Sequence, residues 1–394
     1  MDKANGKASL TASISRQEEL KGKLNSLLPL LLKAKGVEEV IAAVESGDGS
    51  FQWFGSIKSE QGFAADLSAQ TPFWTASITK LFIASAVLKL QEQNLIAIEK
   101  PLKEYIAREM IDGLHRDRKG VDKTDQITVR NLLSHTSGLP DYIEVKPEGG
   151  KSIFEAVLEE GDRSWSIGDS IQIVKDAKSP LFDPQPENRE NKRARYSDTN
   201  FQLLIALLEE VSGKTVYELF REMFYKPLNL ARTFHPGEIP LDRDAPEPLP
   251  VRGGDQVLDL PLATRSFGDL YSTTADLFTF MRALIRGTVF ENPETAELMR
   301  SSWNRFGFMI SPIAPGWPIE YGLGMMRFEL PRFVSPFKAV PAVIGHTGSL
   351  GTWLFYCPAN DFYLAGSANQ IEGAAAPFRF IPKAVNLIET YRKQ

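Results

Sequence analysis

The sequence predicts an α/β fold: one antiparallel sheet built from both ends of the chain, with flanking helices, joined to a mostly helical middle. Three observations predict it. Short runs rich in β-branched and aromatic residues fall near the start, over residues 40–57, and again over residues 321–367. The stretches between them carry apolar residues at helical spacing, and a further helical pattern closes the chain. At 394 residues, with 43% hydrophobic and 24% charged side chains, there is ample material for a large core. The expected division is a discontinuous sheet domain (residues 1–66 and 320–394) and a helical domain (residues 67–319), with the active site at their interface.

Charge and cysteine usage narrow the function classes. Net charge is only −5 and no long run has one sign, so nucleic acid is not an expected partner. A small-molecule substrate is. The single cysteine, Cys357, allows no intrachain disulfide and lies in an apolar run, as a core residue does. His115, His135, His235 and His346 are scattered without metal-ligand spacing, so neither metal nor cofactor is expected. The N-terminus lacks the basic-then-apolar order of a signal peptide, which gives a cytoplasmic expectation; a trimmed chain would allow a secreted or periplasmic one. Apolar runs such as Leu203 to Leu208 are far shorter than the roughly 20 residues of a membrane span.

In chain order, Leu20, Leu24, Leu27, Leu28, Leu31 and Leu32 define an amphipathic helix over about 17–35. Residues 40–45 and 50–57 read as a hairpin around Gly47-Asp48-Gly49. A polar link, residues 58–70, leads to a long apolar helix ending near Gln93. Residues 101–126 are charged and loop-like with short helices, and Thr128 to Leu133 starts a helix that Gly138 and Pro140 stop. Residues 184–192 look like an exposed loop. Helices follow at 201–212 and 216–224, then proline-rich coil over 236–262, then a helix over 277–286 capped by the Ser272-Thr273-Thr274 region. Strands are expected at 321–325, 342–347, 351–357 and 362–367, and a closing helix at 374–391.

The chemistry centres on Ser77-Ile78-Thr79-Lys80, at the start of the long apolar helix. A Ser-x-x-Lys pair places a hydroxyl and an amine one turn apart on one helix face, and a desolvated lysine can support removal of the serine proton. Alone the motif is weak, since a capping serine and a solvated lysine give the same pattern. His135, at a helix end with no paired nucleophile, reads as a hydrogen-bonded structural residue. Gly345-His346-Thr347-Gly348-Ser349 lies on or beside a strand; glycine there would let a substrate backbone approach, and the Ser349 N–H could join that of Ser77 in polarising a carbonyl.

Together, Ser77-Ile78-Thr79-Lys80, Tyr196-Ser197-Asp198 and His346-Thr347-Gly348 resemble the serine β-lactamase and penicillin-binding superfamily. The likeness is to its branch of class C β-lactamases, D-Ala-D-Ala carboxypeptidases, D-aminopeptidases and related carboxylesterases. It runs from about Val37 to Leu387 and takes in Leu132 to Leu139 and Gly268 to Asp276. The resemblance implies a β-lactamase/transpeptidase-like fold, with Ser77 as the acylated nucleophile and Lys80 easing its deprotonation. Tyr196 would be the phenol exchanging protons with Ser77, leaving group and water. Ser77, Ser349, Asp198, His346 and Gly348 would form the oxyanion and substrate contacts. A phenol acts as a base near neutral pH only if cations depress its pKa; Lys80 is the nearest candidate and a protonated His346 another.

Two departures from that pattern stand out. Asp198 occupies a position where the superfamily usually has asparagine, and an ionised aspartate can only accept hydrogen bonds. Recognition of a β-lactam side-chain amide is thereby put in doubt, and three readings stay open: Asp198 fixes Lys80, favours an amine-bearing substrate, or caps a helix. The long polar insert before Tyr196 either reshapes the cleft rim or is a solvated loop. The expected activity is hydrolysis of a small ester, amide or lactam through an acyl-enzyme. Esterase activity stands first, because an ester needs less leaving-group protonation, and a D-amino-acid-specific peptidase, carboxypeptidase or β-lactamase second. A non-catalytic protein of the same fold is opposed by the intact Ser77, Lys80 and Tyr196; a Ser-His-Asp hydrolase is opposed by the absence of a Gly-x-Ser-x-Gly elbow.

Overall fold

The computed structural model describes residues 2–62, 67–177, 180–189, 192–254, 256–306, 318–330 and 339–393. Its main sheet takes β1 (Glu39–Ser46) and β2 (Gln52–Lys58) from the N-terminal end of the chain. From the C-terminal end come β3 (Asn304–Arg305), β4 (Ile319–Tyr321), β5 (Met326–Phe328), β6 (Val343–Gly348), β7 (Thr352–Cys357) and β8 (Phe362–Ser367). The spatial order is 2-1-8-7-6-5-4-3, and every neighbouring pair is antiparallel. The β1–β8 pairing, from Ile41 opposite Ser367 to Ser46 opposite Phe362, joins the two ends.

Seven of the helices cover the sheet and hold the site: α1 (Asp2–Asn25), α2 (Leu28–Leu31), α3 (Thr79–Glu92), α4 (Val129–Leu133), α5 (Asp198–Ser212), α6 (Thr274–Ile285) and α7 (Ala376–Arg392). Alternation along the strands sends Val40, Ala42 and Val44, with Trp353, Phe355 and Leu364, into one core against α1, α2 and α7. Ile41 and Ala43, with Leu354 and Ala365, face the other way into the core that α3, α5 and α6 share. A sheet buried on both faces explains why β1 reads as an unbroken apolar run. The α3 helix is buried all round except at Lys89, Gln91 and Glu92, so it is an axle of the helical core rather than a surface helix. Cys357 is fully buried. No helix among the described residues is long and apolar enough to cross a membrane.

Three sequence expectations change. The helix expected over 17–35 is two helices, because Pro29 has no N–H to donate to the Asn25 carbonyl and its ring would clash there; α1 therefore stops at Asn25. Of the strand expected at 321–325 only Tyr321, the end of β4, is strand; residues 322–325 are the turn between β4 and β5. Gly324 there is left-handed (φ 68°), and a Cβ on it would lie 2.2 Å from the Ala84 Cβ of α3, so the chain must leave the sheet to pack on the helix. The proline-rich coil over 236–262 contains a small hairpin, Val251–Gly253 with Gln256–Leu258, and the start of a helix, Pro261–Phe267. Part of the expected 58–70 link (residues 63–66) and residues 190–191 of the insert lie outside the described residues.

Gly324→Ala should cost about 2–4 kcal/mol, the sum of a left-handed alanine and overpacking against α3. A urea midpoint indistinguishable from wild type would contradict the close contact.

Candidate active site

Ser77 sits in a single tight turn, Ala76–Ile78, that feeds directly into α3. The residue before it, Ala76, is left-handed (φ 48°), an uncommon conformation for alanine that lifts the next side chain out of the helix track. The turn is clamped from two sides. Thr75 donates to the Leu270 carbonyl through its N–H (3.0 Å) and its hydroxyl (2.8 Å), while the Thr352 hydroxyl of β7 donates to the Thr75 carbonyl at 2.9 Å. Gly348 of β6 completes the clamp: a Cβ there would lie 2.8 Å from the Ala76 Cβ and 3.0 Å from the Thr75 oxygen. The turn behind Ser77 thus requires glycine at this position.

Lys80 and Tyr196 converge on Ser77 Oγ. Lys80 Nζ donates to it at 3.0 Å and the Tyr196 hydroxyl at 2.7 Å. Lys80 is the second residue of α3, one turn on from Ser77; Tyr196 arrives from the loop that starts α5. The Lys80 ammonium, its side chain 6% exposed, is also ion-paired with Asp198 and lies 5.2 and 5.3 Å from the ring centres of Tyr196 and Phe201. Burial works to lower the Lys80 pKa, but the Asp198 carboxylate, helped by Asp269, holds it above its ordinary value. Of the three readings of Asp198, the ion pair with Lys80 is present and the helix-cap role is not. Ser197, not Asp198, occupies the cap position of α5, and Asp198 is the first helical residue.

The expectation that cations would depress Tyr196 is reversed. Burial first, then Asp198, push its phenol well above the usual value, so Tyr196 carries its proton. His346 cannot act as a second cation: burial, then Lys80, lower its pKa to about 3. Its ring is fully buried on β6, with Nε2 2.9 Å from the Tyr321 hydroxyl and Nδ1 2.7 Å from the Thr347 carbonyl oxygen. His135 is buried as well, and its Nδ1 accepts from the Ser197 N–H (3.2 Å) and lies 2.9 Å from Asn200 Nδ2. With its ring 4.5 Å from that of Tyr196, it props the tyrosine loop.

The open space beside Ser77 is a pocket of about 800 Å³, including its mouth. Ser77, Lys80, Asp198 and Ser349 line it; His346 and Gly348 do not, and Tyr196 reaches Ser77 from outside the lining. Much of the wall is apolar, with Trp74, Phe154, Val157 and Phe267 among it. Three polar residues near the site escaped the sequence reading. Asp269 lines the pocket and accepts from Trp74 Nε1 at 2.9 Å; burial raises its pKa to about 6 although Lys80 pulls the other way. Asp141 accepts the Asp198 N–H at 3.1 Å, and burial, then Asp198, push its pKa well up. Gln202 lies one turn beyond Asp198 on α5 and also lines the pocket. Each is an isolated polar residue with no spacing to announce it. The described part of the insert is pinned to α4, since Asn131 Nδ2 donates to the Gln185 carbonyl at 2.7 Å, and it does not line the pocket. Among the described residues no three His, Cys, Asp or Glu side chains are placed to hold a metal ion.

Because a buried imidazole with a folded pKa near 3 stays neutral while the unfolded chain takes up a proton near 6.5, the His346 contribution to stability is intact above pH 6.5. It is lost as pH falls toward 3, at up to roughly 1.4 kcal/mol per pH unit. NMR of the His346 ring should show the neutral form from pH 8 down to 5. A titration midpoint near 6.5 would contradict it.

Comparison with known proteins bears on the family and the fold. A family model described as Beta-lactamase matches residues 34–380. The chain is 25% identical over 284 residues to D-alanyl-D-alanine-carboxypeptidase/endopeptidase AmpH of Escherichia coli (strain K12), covering 71% of this chain and 66% of that protein. It therefore spans just under two thirds of that relative's length. Among solved structures it resembles a D-stereospecific amidohydrolase from Streptomyces sp., at TM-score 0.67 and 25% identity over 91% of this chain and 97% of the other. It also shares its fold with the D-amino acid amidase from Ochrobactrum anthropi SV3, at TM-score 0.71 and 19% identity over 95% and 99% of the two chains.

Proposed function

We propose, from the premise that the chain belongs to the β-lactamase family, that it is a serine hydrolase cleaving a small amide or ester through an acyl-enzyme on Ser77. One observation carries the reading: a single hydroxyl oxygen, Ser77 Oγ, receives hydrogen bonds from both an ammonium and a phenol at the edge of a mostly apolar pocket. Two donors on one oxygen stabilise it as it becomes an alkoxide.

The proton path follows from who holds protons at rest. Lys80 is an ammonium and Tyr196 a neutral phenol, so neither takes the Ser77 proton directly. Lys80 first yields a proton to Asp198, across the ion pair, and then accepts the one from Ser77. The alkoxide adds to the carbonyl carbon, and its new oxyanion is held by the N–H groups of Ser77 and Ser349. As the tetrahedral adduct collapses, Tyr196 gives its proton to the departing nitrogen or oxygen, and the proton parked on Asp198 returns through Lys80 to the phenolate. Water repeats the sequence on the acyl-enzyme and releases the acid.

The sequence ranked ester cleavage ahead of amide. A proton-bearing phenol 2.7 Å from Ser77 supplies what an amine leaving group needs, and that favours the amide. The likeness to a D-stereospecific amidohydrolase supports the same order.

A fluorophosphonate should give one covalent adduct by intact mass, on Ser77, lost in Ser77→Ala; labelling that survives the substitution overturns the assignment. Tyr196→Phe should lower kcat/KM for an anilide by about 10²–10⁴-fold, and for an ester with a good leaving group by less. Asp198→Asn removes both the proton acceptor and the main group raising the Lys80 pKa. Its kcat/KM should rise about tenfold per pH unit until the lowered Lys80 pKa is reached, where wild type stays flat across neutral pH. Parallel profiles for the two would exclude the relay.

A further inference from the structure

Apart from the Ser349 and Tyr142 hydroxyls and the Trp74 indole, the polar side chains that line the pocket fall into two groups. Ser77 and Lys80 are engaged with each other and with Tyr196 and Asp198. Asp269 and Gln202 remain, and both offer acceptors. Gln202 is 2% exposed, and its Nε2 donates to the Ser266 carbonyl at 3.1 Å and the Phe267 carbonyl at 3.0 Å. Two carbonyl partners fix which end of the amide is nitrogen, because the flipped amide would set oxygen against oxygen. Its Oε1 is left buried without a hydrogen-bond partner, a costly state until a donor arrives.

Charge points the same way. Asp198 balances Lys80, the neighbouring histidines are neutral, and Asp269 adds a carboxylate to the wall with no cation of its own beyond the one Asp198 already neutralises. The distances suit a short substrate. Ser77 Oγ, Lys80 Nζ and Asp198 are linked in series, so about 6 Å, two hydrogen-bond lengths, is the greatest reach from the nucleophile to that carboxylate. An amine on the carbon next to a carbonyl attacked by Ser77 falls within that reach.

Resting on the acyl-enzyme reading above, we infer that the acyl group accepted by this pocket carries a free primary amine: an α-amino acyl group whose ammonium meets the Asp198, Asp269 and Gln202 acceptors and whose apolar side chain packs on Trp74, Phe154 and Phe267. An N-acylated substrate would present a carbonyl oxygen where the wall already has acceptors. It would also lack the positive charge that completes the balance.

The test compares kcat/KM for phenylalanine p-nitroanilide, as both enantiomers, with N-acetylphenylalanine p-nitroanilide and 3-phenylpropionyl p-nitroanilide. The better free-amine enantiomer should lead both others by at least about tenfold, and Asp269→Asn should shrink that ratio several-fold. A ratio near or below one, or one unchanged by Asp269→Asn, overturns the inference. Phenylalaninamide should slow fluorophosphonate labelling of wild-type Ser77 at lower concentration than N-acetylphenylalaninamide; equal or weaker protection also overturns it. These outcomes leave the acyl-enzyme reading standing as long as Ser77 is labelled, whereas failure to label Ser77 overturns that reading itself.

Discussion

A buried ammonium is the constraint around which the rest of the structure is arranged. A lone cation in a protein interior costs several kcal/mol, so Lys80 can stay charged at 6% side-chain exposure only if its surroundings answer for it. They do so from three directions. Asp198 at the start of α5 supplies the counter-charge, Ser77 one turn back supplies an oxygen, and the faces of Tyr196 and Phe201 supply electron-rich surface. Because those groups belong to the turn before α3, to α5 and to the loop between Ala194 and Ser197, their pairing with Lys80 of α3 fixes the two helices relative to each other at the place where the chemistry is proposed.

The sheet contributes by holding the turn that carries Ser77. β6 and β7 reach the backbone just before Ser77 through Gly348 and Thr352, while the Leu270 carbonyl, next to Asp269, accepts from Thr75 on the opposite side. The β4–β5 turn presses on α3 at Ala84, one turn beyond Lys80. A left-handed Ala76 persists because all of these contacts over-determine it. The position of the nucleophile is thus set by segments 195 to 277 residues distant in sequence.

This explains what could be read in advance and what could not. The spacing of Ser77 and Lys80 is local, and helical geometry alone brings them to one face. Alternation and turn residues gave β1, β2 and the last three strands to within a residue or two, because each strand carries its own signal. The meeting of Tyr196 with Ser77 has no local signal; it was legible only because the ordered motifs resemble a known family. The turn at Gly324 was misread because residues 321–325 look like strand until α3 is packed beside them. Protonation was the least legible property. His346 was a candidate cation if protonated, and its enclosure by β6 and Tyr321, close to Lys80, keeps it neutral.

That neutrality decides how the proposed chemistry must run. A second cation beside Lys80 would compete for Asp198 and depress the Tyr196 phenol, giving a phenolate base at rest. With a neutral imidazole donating or accepting only through Tyr321 and Thr347, the phenol keeps its proton and becomes the acid, and the basic role passes to the Lys80–Asp198 pair. Asp198 is then more than a substitute for the asparagine usual in the family: an amide could have held Lys80 by a hydrogen bond but could not have stored its proton. The same carboxylate that stabilises the buried ammonium supplies the place where that proton can go, so the stability of the site and its reactivity rest on one contact.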